Sequence, residues 1–365
     1  MKINRRQFGL LAGGGVLTLA APAIISSRVA AQDNVVVVQI GTGDWADSNI
    51  AAYAEPFEAE TGIRVEKVYD WVTINRLKLW HDSGNVEWDV ANLGGSTMMI
   101  AGQNGWLEPI DYSLYSDEQQ NAITKEAKEE YGVGALYYST VLTYWTDQYA
   151  QGKAPKSWAD FWNVDAFPGK RTLPGGERGY GPFEMALLAD GVPIEELYPL
   201  DIDRAFASLD KIKRDIVKWW LDGSDNQQLF ADRFVDVGAA YNGRIGNLQK
   251  QGLDLTMDWN QGKLEMDYWG IPKGARHSEN AQRFINFATR GAQQAIFAQN
   301  IPYGPTNLNA YDHIPDDVAK NLPSYPENLK LQFARDYRWE TQINEDTGKT
   351  NLETLIDRWN RWIFS

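Results

Sequence analysis

The segment VVVVQIG, residues 35–41, is an apolar run of strand length stopped by a glycine, and it constrains the fold more than any other stretch. A strand that is apolar on both faces must be covered on both, as in a parallel sheet with helices on each side. The residues that follow keep to that plan. A helix-like stretch runs from about Ile50 to Thr61, Gly62 breaks it, and IRVEKVY (63–69) reads as a second strand. Another helical stretch over Ile74–Trp80 leads to EWDVANLGG (87–95). Strands alternating with helices at this spacing indicate an α/β fold on a parallel sheet. At 365 residues the chain is long for one core, so two domains are expected.

The middle of the chain has its own punctuation. Ser157 reads as the N-cap of a short helix carrying Trp158, Phe161 and Trp162, and FPGKRTLPGGERGYGPF (167–183) as a long Pro/Gly-rich loop. Residues 202–220, begun by Asp201, place Phe206, Leu209, Ile212, Ile216 and Trp219 at helical spacing, which predicts one amphipathic helix. VDVGAAYNG (235–243) and KLEMDYWGIP (263–272) read as strands, 278–290 as a helix, and 351–364 as a C-terminal helix packed on the body.

The N-terminus points to export. NRRQFGLLAGGGVLTLAAPAIISSRVAAQ (4–32) has twin arginines, Arg5 and Arg6, a glycine-broken apolar stretch from Leu10 to Ile25, and Val29 and Ala31 where a signal peptidase reads. The apolar stretch is too short to span a bilayer, so residues 1–31 are expected to be a Tat signal that is removed. Removal takes away Lys2, Arg5, Arg6 and Arg28 and lowers the formal charge from −14 to −18. The chain has no cysteine, which excludes disulfides, thiolate metal sites, cysteine nucleophiles and a lipid anchor at the cleavage site. A soluble periplasmic protein is the expectation.

Composition narrows the chemistry. No run of Lys and Arg offers the contacts that phosphates need, so a nucleic-acid partner is not expected. The 15 Trp and 17 Tyr are mostly core candidates, but their faces also hold cations, and some could line a ligand cleft. Three well-separated histidines with no paired spacing argue against zinc, and no G-x-S-x-G elbow is present. PGKRT (168–172) lacks the upstream glycine of a phosphate-binding loop; GGERGYG (175–181) could cradle an anion or be a plain surface loop. Neither a metal nor a cofactor is expected. Glu265 and Asp267 lie two apart in a strand, on one face and about 7 Å from each other, a geometry that suits acid–base work or an amine clamp.

Eight segments in order resemble the spermidine/putrescine-type periplasmic solute-binding proteins of ABC transporters. They are FEAETGIRV (57–65), WDVANL (88–93), NGWLEPID (104–111), PKSWADFW (155–162), AAYNG (239–243), MDYWGIPKGA (266–275), AQRFINFAT (281–289) and IPYGPTN (301–307). The resemblance implies a type II periplasmic-binding fold: two α/β lobes, each a central mostly parallel sheet flanked by helices, with the ligand cleft between them. By analogy the first lobe holds residues 32–141 with 268–313 returning to it, and the second holds 142–267 with 314–365. It also implies permease subunits in the inner membrane as partners, and a monomer.

Residue by residue, the resemblance carries ligand contacts onto Trp45, Ser96, Tyr241 and Tyr303, and the amine-gripping carboxylate onto Asp267. Trp339 and Glu340 match a C-terminal contact region. The chain also departs from the family. Where the middle loop normally brings acids to a far amine it offers Arg178 and Gly181, with Glu177 adjacent; Glu265 stands where a Trp is common, and Ser48 where a second aromatic is. An arginine facing the ligand repels a second ammonium and favours a carboxylate. The leading expectation is capture of a small, polyamine-like amine by lobe closure and its delivery to a permease. An amino-acid-like zwitterion, with its amine at Asp267 and carboxylate at Arg178, is the alternative within that class. Glu265 is left to replace a lost loop acid or to pair with Arg178. An exported carbohydrate-active enzyme using the same carboxylates, and an interaction protein without a small ligand, are the alternatives outside it.

Overall fold

Two long strands cross the molecule and organise everything else in the computed structural model, which describes residues 34–365. The signal expected at residues 1–31 lies outside the described residues. In chain order the strands are β1 (Val35–Gln39), β2 (Arg64–Val68), β3 (Ala91–Gly94), β4 (Leu107–Glu108), β5 (Lys128–Glu129), β6 (Gly132–Trp145), β7 (Arg171–Pro174), β8 (Ile216–Trp220), β9 (Val237–Tyr241), β10 (Leu255–Pro272) and β11 (Phe333–Ala334). The crossing strands are β6 and β10, paired antiparallel from Leu255 opposite Trp145 to Trp269 opposite Val133.

Buried apolar side chains gather into two large clusters. One takes in Val36, Phe57, Leu93, Phe284 and Phe297. The other takes in Leu173, Phe183, Phe206, Leu209 and Trp359. Along β6, Leu136 belongs to the first and Leu142 to the second. The C-terminal segment crosses as well, since Phe333 and Trp339 pack in the second cluster and Tyr337 in the first. Residues 314–322 do not return to the second cluster: Ile314, Ala319 and Leu322 pack on Ala295 and Ala298 of the helix Gly291–Asn300.

The sheets are mixed rather than mostly parallel. β1 and β2 are parallel, and Val38 bridges Val90 in the same sense. In the larger sheet, ordered β11-β10-β6-β9-β7-β8, the pairs β7–β8, β7–β9 and β10–β11 are parallel, whereas β6 pairs antiparallel with β9 and β10. β3 and β4 also join β10 antiparallel. A chain that leaves one core on β6 and returns to it on the neighbouring β10 must run in opposite directions on the two.

The helix expected over 202–220 ends at Ile212. Its start follows the expectation: Asp201 caps it by accepting from Arg204 N at 2.9 Å, and Ala205, Phe206, Leu209 and Ile212 face the core. Lys213–Asp215 then form a short 3-10 turn, and Ile216–Trp220 become β8 beside β7. β7 itself lies inside the stretch expected to be loop. The two differences share a cause, because the β-branched and aromatic IVKWW is strand-like in composition and its partner RTLP leaves no partner-free ladder when the two pair.

The helix Asn242–Lys250 packs against the 301–303 turn through glycines. A Cβ on Gly243 would stand 2.5 Å from Tyr303 Cε1 and Cζ. Alanine in place of a helical glycine ordinarily gains about 0.5–1 kcal/mol, but overpacking costs about 1–3 kcal/mol, and the Tyr303 ring is itself enclosed. Gly243→Ala is therefore expected to lower urea-unfolding stability by on the order of 1 kcal/mol. A gain in stability would show that the ring has room to move.

Candidate functional site

A cavity of about 360 Å³ lies between the first cluster and the loops that follow β7, β8 and β9, within the size range of small-ligand sites. Thr42, Trp45, Trp71 and Val72 line it from segments following β1 and β2, and Asn92–Gly94 with Thr97 from β3 and the helix after it. Arg178 and Tyr180 reach it from the loop after β7, residues 221–224 from the turn after β8, and Tyr241 and Arg244 from the end of β9. Tyr138 and Asp267 come from the crossing strands, and Tyr303 from the turn after the helix Gly291–Asn300.

The aromatic wall is continuous. Trp45 meets Trp71 at 5.6 Å and Tyr303 at 5.7 Å between ring centroids, Tyr303 meets Tyr138 at 6.2 Å, and Tyr138 meets Tyr241 at 5.4 Å. Gly41 makes the first of these contacts possible. It has φ 70°, and a Cβ there would come within 2.7 Å of both Trp45 and Trp71.

Asp267 has no partner among the described residues. No donor among the described residues bonds its carboxylate, although it stands in β10 opposite Gly94 of β3 and Leu136 of β6. A register shift at Asp267–Tyr268 marks the position, as bulges do where a side chain is re-aimed. Burial, and then the charge of Glu265, push its carboxyl up to about 7.

Arg244 is the complementary case, and it was not among the residues singled out from the sequence. Among the described residues no carboxylate forms an ion pair with it, its Nε is buried without a hydrogen bond, and its charge acts on the Tyr303 hydroxyl. Space for its stem comes from Gly223, where a Cβ would lie 3.0 Å from Nε. The Tyr303 hydroxyl is acted on by the charges of both Arg244 and Asp267, so the two groups border the same part of the cavity. Arg178 is at the exposed rim, and nearby Asp222 is engaged as an N-cap, accepting from Ser224 N and Asp225 N.

Five of the nine residues singled out from the sequence line this cavity: Trp45, Arg178, Tyr241, Asp267 and Tyr303. The other four do not. Glu265 bonds Arg335 Nη1 at 2.9 Å and accepts from Thr140 Oγ1 at 3.0 Å, so it neither faces the cavity nor pairs with Arg178. Glu340 bonds Arg335 Nε at 2.7 Å and accepts from the Ser96 hydroxyl. Trp339 is core, packed at 5.6 Å on Tyr198. Ser96, Glu265 and Glu340 do come together, but around a cation of the protein's own, Arg335. Arg244 had a legible signal: it lies three residues beyond Tyr241, one helical turn, at a helix start.

Residues 52–327 match the family model described as bacterial extracellular solute-binding protein. The chain is similar to the gamma-aminobutyric acid-binding protein of Pseudomonas aeruginosa, 34% identical over 351 residues covering 95% of each chain. It is also similar to the spermidine/putrescine-binding periplasmic protein of Escherichia coli, 24% identical over 82% of this chain and 86% of that one. Among solved structures, that of the Atu4243-GABA receptor is 34% identical and superposes with a TM-score of 0.80 over 90% of this chain and 97% of the other. No helix among the described residues is long and apolar enough to cross a membrane.

Asp267 carries a stability signature of its own. A carboxyl raised from its ordinary value of 3.8 to about 7 in the fold favours the folded state while protonated; that contribution is full below about pH 4 and is lost as pH rises to about 7. Each tenfold change in proton affinity corresponds to on the order of 1.4 kcal/mol. In ligand-free urea unfolding, Asp267→Asn is thus expected to gain stability relative to the native protein between pH 4 and 7 and to hold that gain above. A difference that stays constant across the range would count against this placement.

Proposed function

The chain belongs to the bacterial extracellular solute-binding protein family, and from that premise we propose that it captures a short amino-acid-like zwitterion, of the γ-aminobutyrate class, for delivery to the permease of an ABC transporter. One observation carries the reading: a carboxylate, Asp267, and a guanidinium, Arg244, neither with an oppositely charged partner among the described residues, border one small aromatic-walled cavity. A half-buried charge without a partner is costly to desolvate, and a ligand bearing the opposite charge relieves it. The ligand ammonium lies at Asp267, its carboxylate at Arg244 with Arg178 at the rim, and its methylenes against Trp45, Tyr138, Tyr241 and Tyr303. The cavity has little to offer a second ammonium, which would face Arg244 and Arg178. The polyamine-like expectation therefore gives way to its zwitterion alternative. A glycosidase would need Glu265 free, and both its oxygens are engaged.

In this reading the two cores are lobes that close on the ligand, with β6, β10 and the 333–339 segment as the crossings. In the same reading the protein acts as a periplasmic monomer, exported through the twin-arginine signal at residues 1–31.

Calorimetry and thermal shift test the assignment. γ-Aminobutyrate and related ω-amino acids are expected to bind, adding roughly 2.7 kcal/mol of stability at 100 times Kd, while 1,4-diaminobutane adds little. Arg244→Met removes a charge-assisted contact worth about 2–5 kcal/mol and so weakens binding by roughly 30-fold or more. Unchanged affinity in that variant would remove Arg244 from the site.

Binding is also expected to depend on pH. An ammonium favours ionised Asp267, so below about pH 7 binding must expel a proton. Kd then weakens up to about tenfold for each unit of falling pH and levels off above 7. Asp267→Asn should flatten that slope as well as weaken binding. A slope that survives the substitution assigns the titration to another group.

A further inference from the structure

Arg335 is coordinated as a bound cation would be. Its Nε meets Glu340 Oε1 at 2.7 Å, Nη1 meets Glu265 Oε1 at 2.9 Å, and Nη2 meets the Gly179 carbonyl at 2.7 Å and Glu340 Oε2 at 3.1 Å. The rings of Tyr180 and Tyr337 lie 4.9 and 5.5 Å from its guanidinium carbon. The two carboxylates are steadied in turn by Thr140 and Ser96. All three charged side chains are at most 3% exposed.

This nest adjoins the ligand cavity. Tyr180 lines the cavity and also packs on the guanidinium, so a single ring separates the two compartments. A Cβ on Gly94 would lie 2.8 Å from the Tyr180 hydroxyl and 3.9 Å from Asp267 Oδ1, which puts that ring beside the unpaired carboxylate. Asp267 and Glu265 are two residues apart on β10, about 7 Å along the strand, comparable to the span of a short extended diamine.

We propose that Arg335 is a tethered occupant of a cation site contiguous with the ligand cavity, and that by filling it the chain rejects ligands bearing a second ammonium. This rests on the zwitterion reading and deepens it, since it names what excludes a diamine. Were Arg335 absent, Asp267 at one end and Glu265 with Glu340 at the other would form an acidic slot suited to two ammoniums. With Arg335 present, the far end already holds its cation. The adjoining Lys263 is matched as well, bonding the Gly181 carbonyl at 3.1 Å and Glu184 at 3.4 Å. Glu265, Glu340 and Glu184, the carboxylates bordering this nest, are thus each engaged by a cation of the chain itself. Arg335 is thus a specificity-determining residue that need not touch the ligand.

Removing one partner of a buried ion pair destabilises a fold, so two variants are needed. Arg335→Ala empties the nest; Arg335→Ala with Glu265→Gln empties it while removing one charge of each sign. Both are made in the exported chain, checked by circular dichroism, and titrated by calorimetry with 1,4-diaminobutane, ethylguanidinium and γ-aminobutyrate. The expected result is diamine binding at least tenfold tighter than in the parent for Arg335→Ala and a smaller gain for the double variant, with ethylguanidinium stabilising Arg335→Ala but not the parent. A parent that ignores γ-aminobutyrate sinks the zwitterion reading; the diamine gain is read separately and stands on its own. Three results overturn the proposal: folded variants that bind the diamine no better than the parent, a parent that already binds it as tightly, or an Arg335→Ala chain that stays unfolded in both cations. Any of these would make Arg335 a structural pin alone.

Discussion

The buried guanidinium of Arg335 is the charge on which the join between the two cores depends. It follows β11 and stands between Phe333, packed in one cluster, and Tyr337, packed in the other. Such a charge is tolerated only where its donors are met, and the groups meeting them come from β10, the loop after β7 and the helix Tyr337–Thr341. Gly179, whose carbonyl it holds, lies between Arg178 and Tyr180, both on the cavity lining. One ion network therefore fixes the seam and shapes the wall of the site.

Glu265 and Asp267 show how environment divides roles between like residues. They occupy one strand, two positions apart, yet Glu265 has a partner for each oxygen and Asp267 has none among the described residues. The charge of the first raises the proton affinity of the second. A structural carboxylate thus tunes its neighbour without facing the cavity.

Much of this was legible in the sequence, and the misses are physical. Apolar runs and caps located β1, β2, β9 and the helices at 202, 278 and 351, because local pattern and burial agree there. The 202–220 helix ran too long because Ile216 and Trp219 happen to continue a helical spacing, and only the long-range pairing with β7 decides for strand. No element was read over 132–145, where β6 is buried almost throughout and shows no periodicity. At the site, Asp267 and the aromatic positions were visible as chemistry out of place in an apolar run. Arg335 was not, since an arginine's partner is a matter of tertiary contact: it looks like any surface arginine in the sequence yet is wholly paired inside, whereas Arg244 could be placed beside Tyr241 from helical spacing but its lack of a carboxylate partner shows only in the fold.

The placement of the two unpaired charges bears on how the site works. Asp267 is on a crossing strand. Arg244 is on a helix whose first residue, Asn242, accepts from Ser139 N of the other crossing strand at 2.8 Å and donates to the Pro302 carbonyl at 2.6 Å. Both anchors are therefore tied to the hydrogen-bonded seam rather than to the outer walls. In the proposed lobe-closing reading, opening would draw Trp45, in one core, away from Arg178, on the loop after β7. In that reading a ligand meets the two seam charges first, and closure adds the aromatic cover and the rim charge.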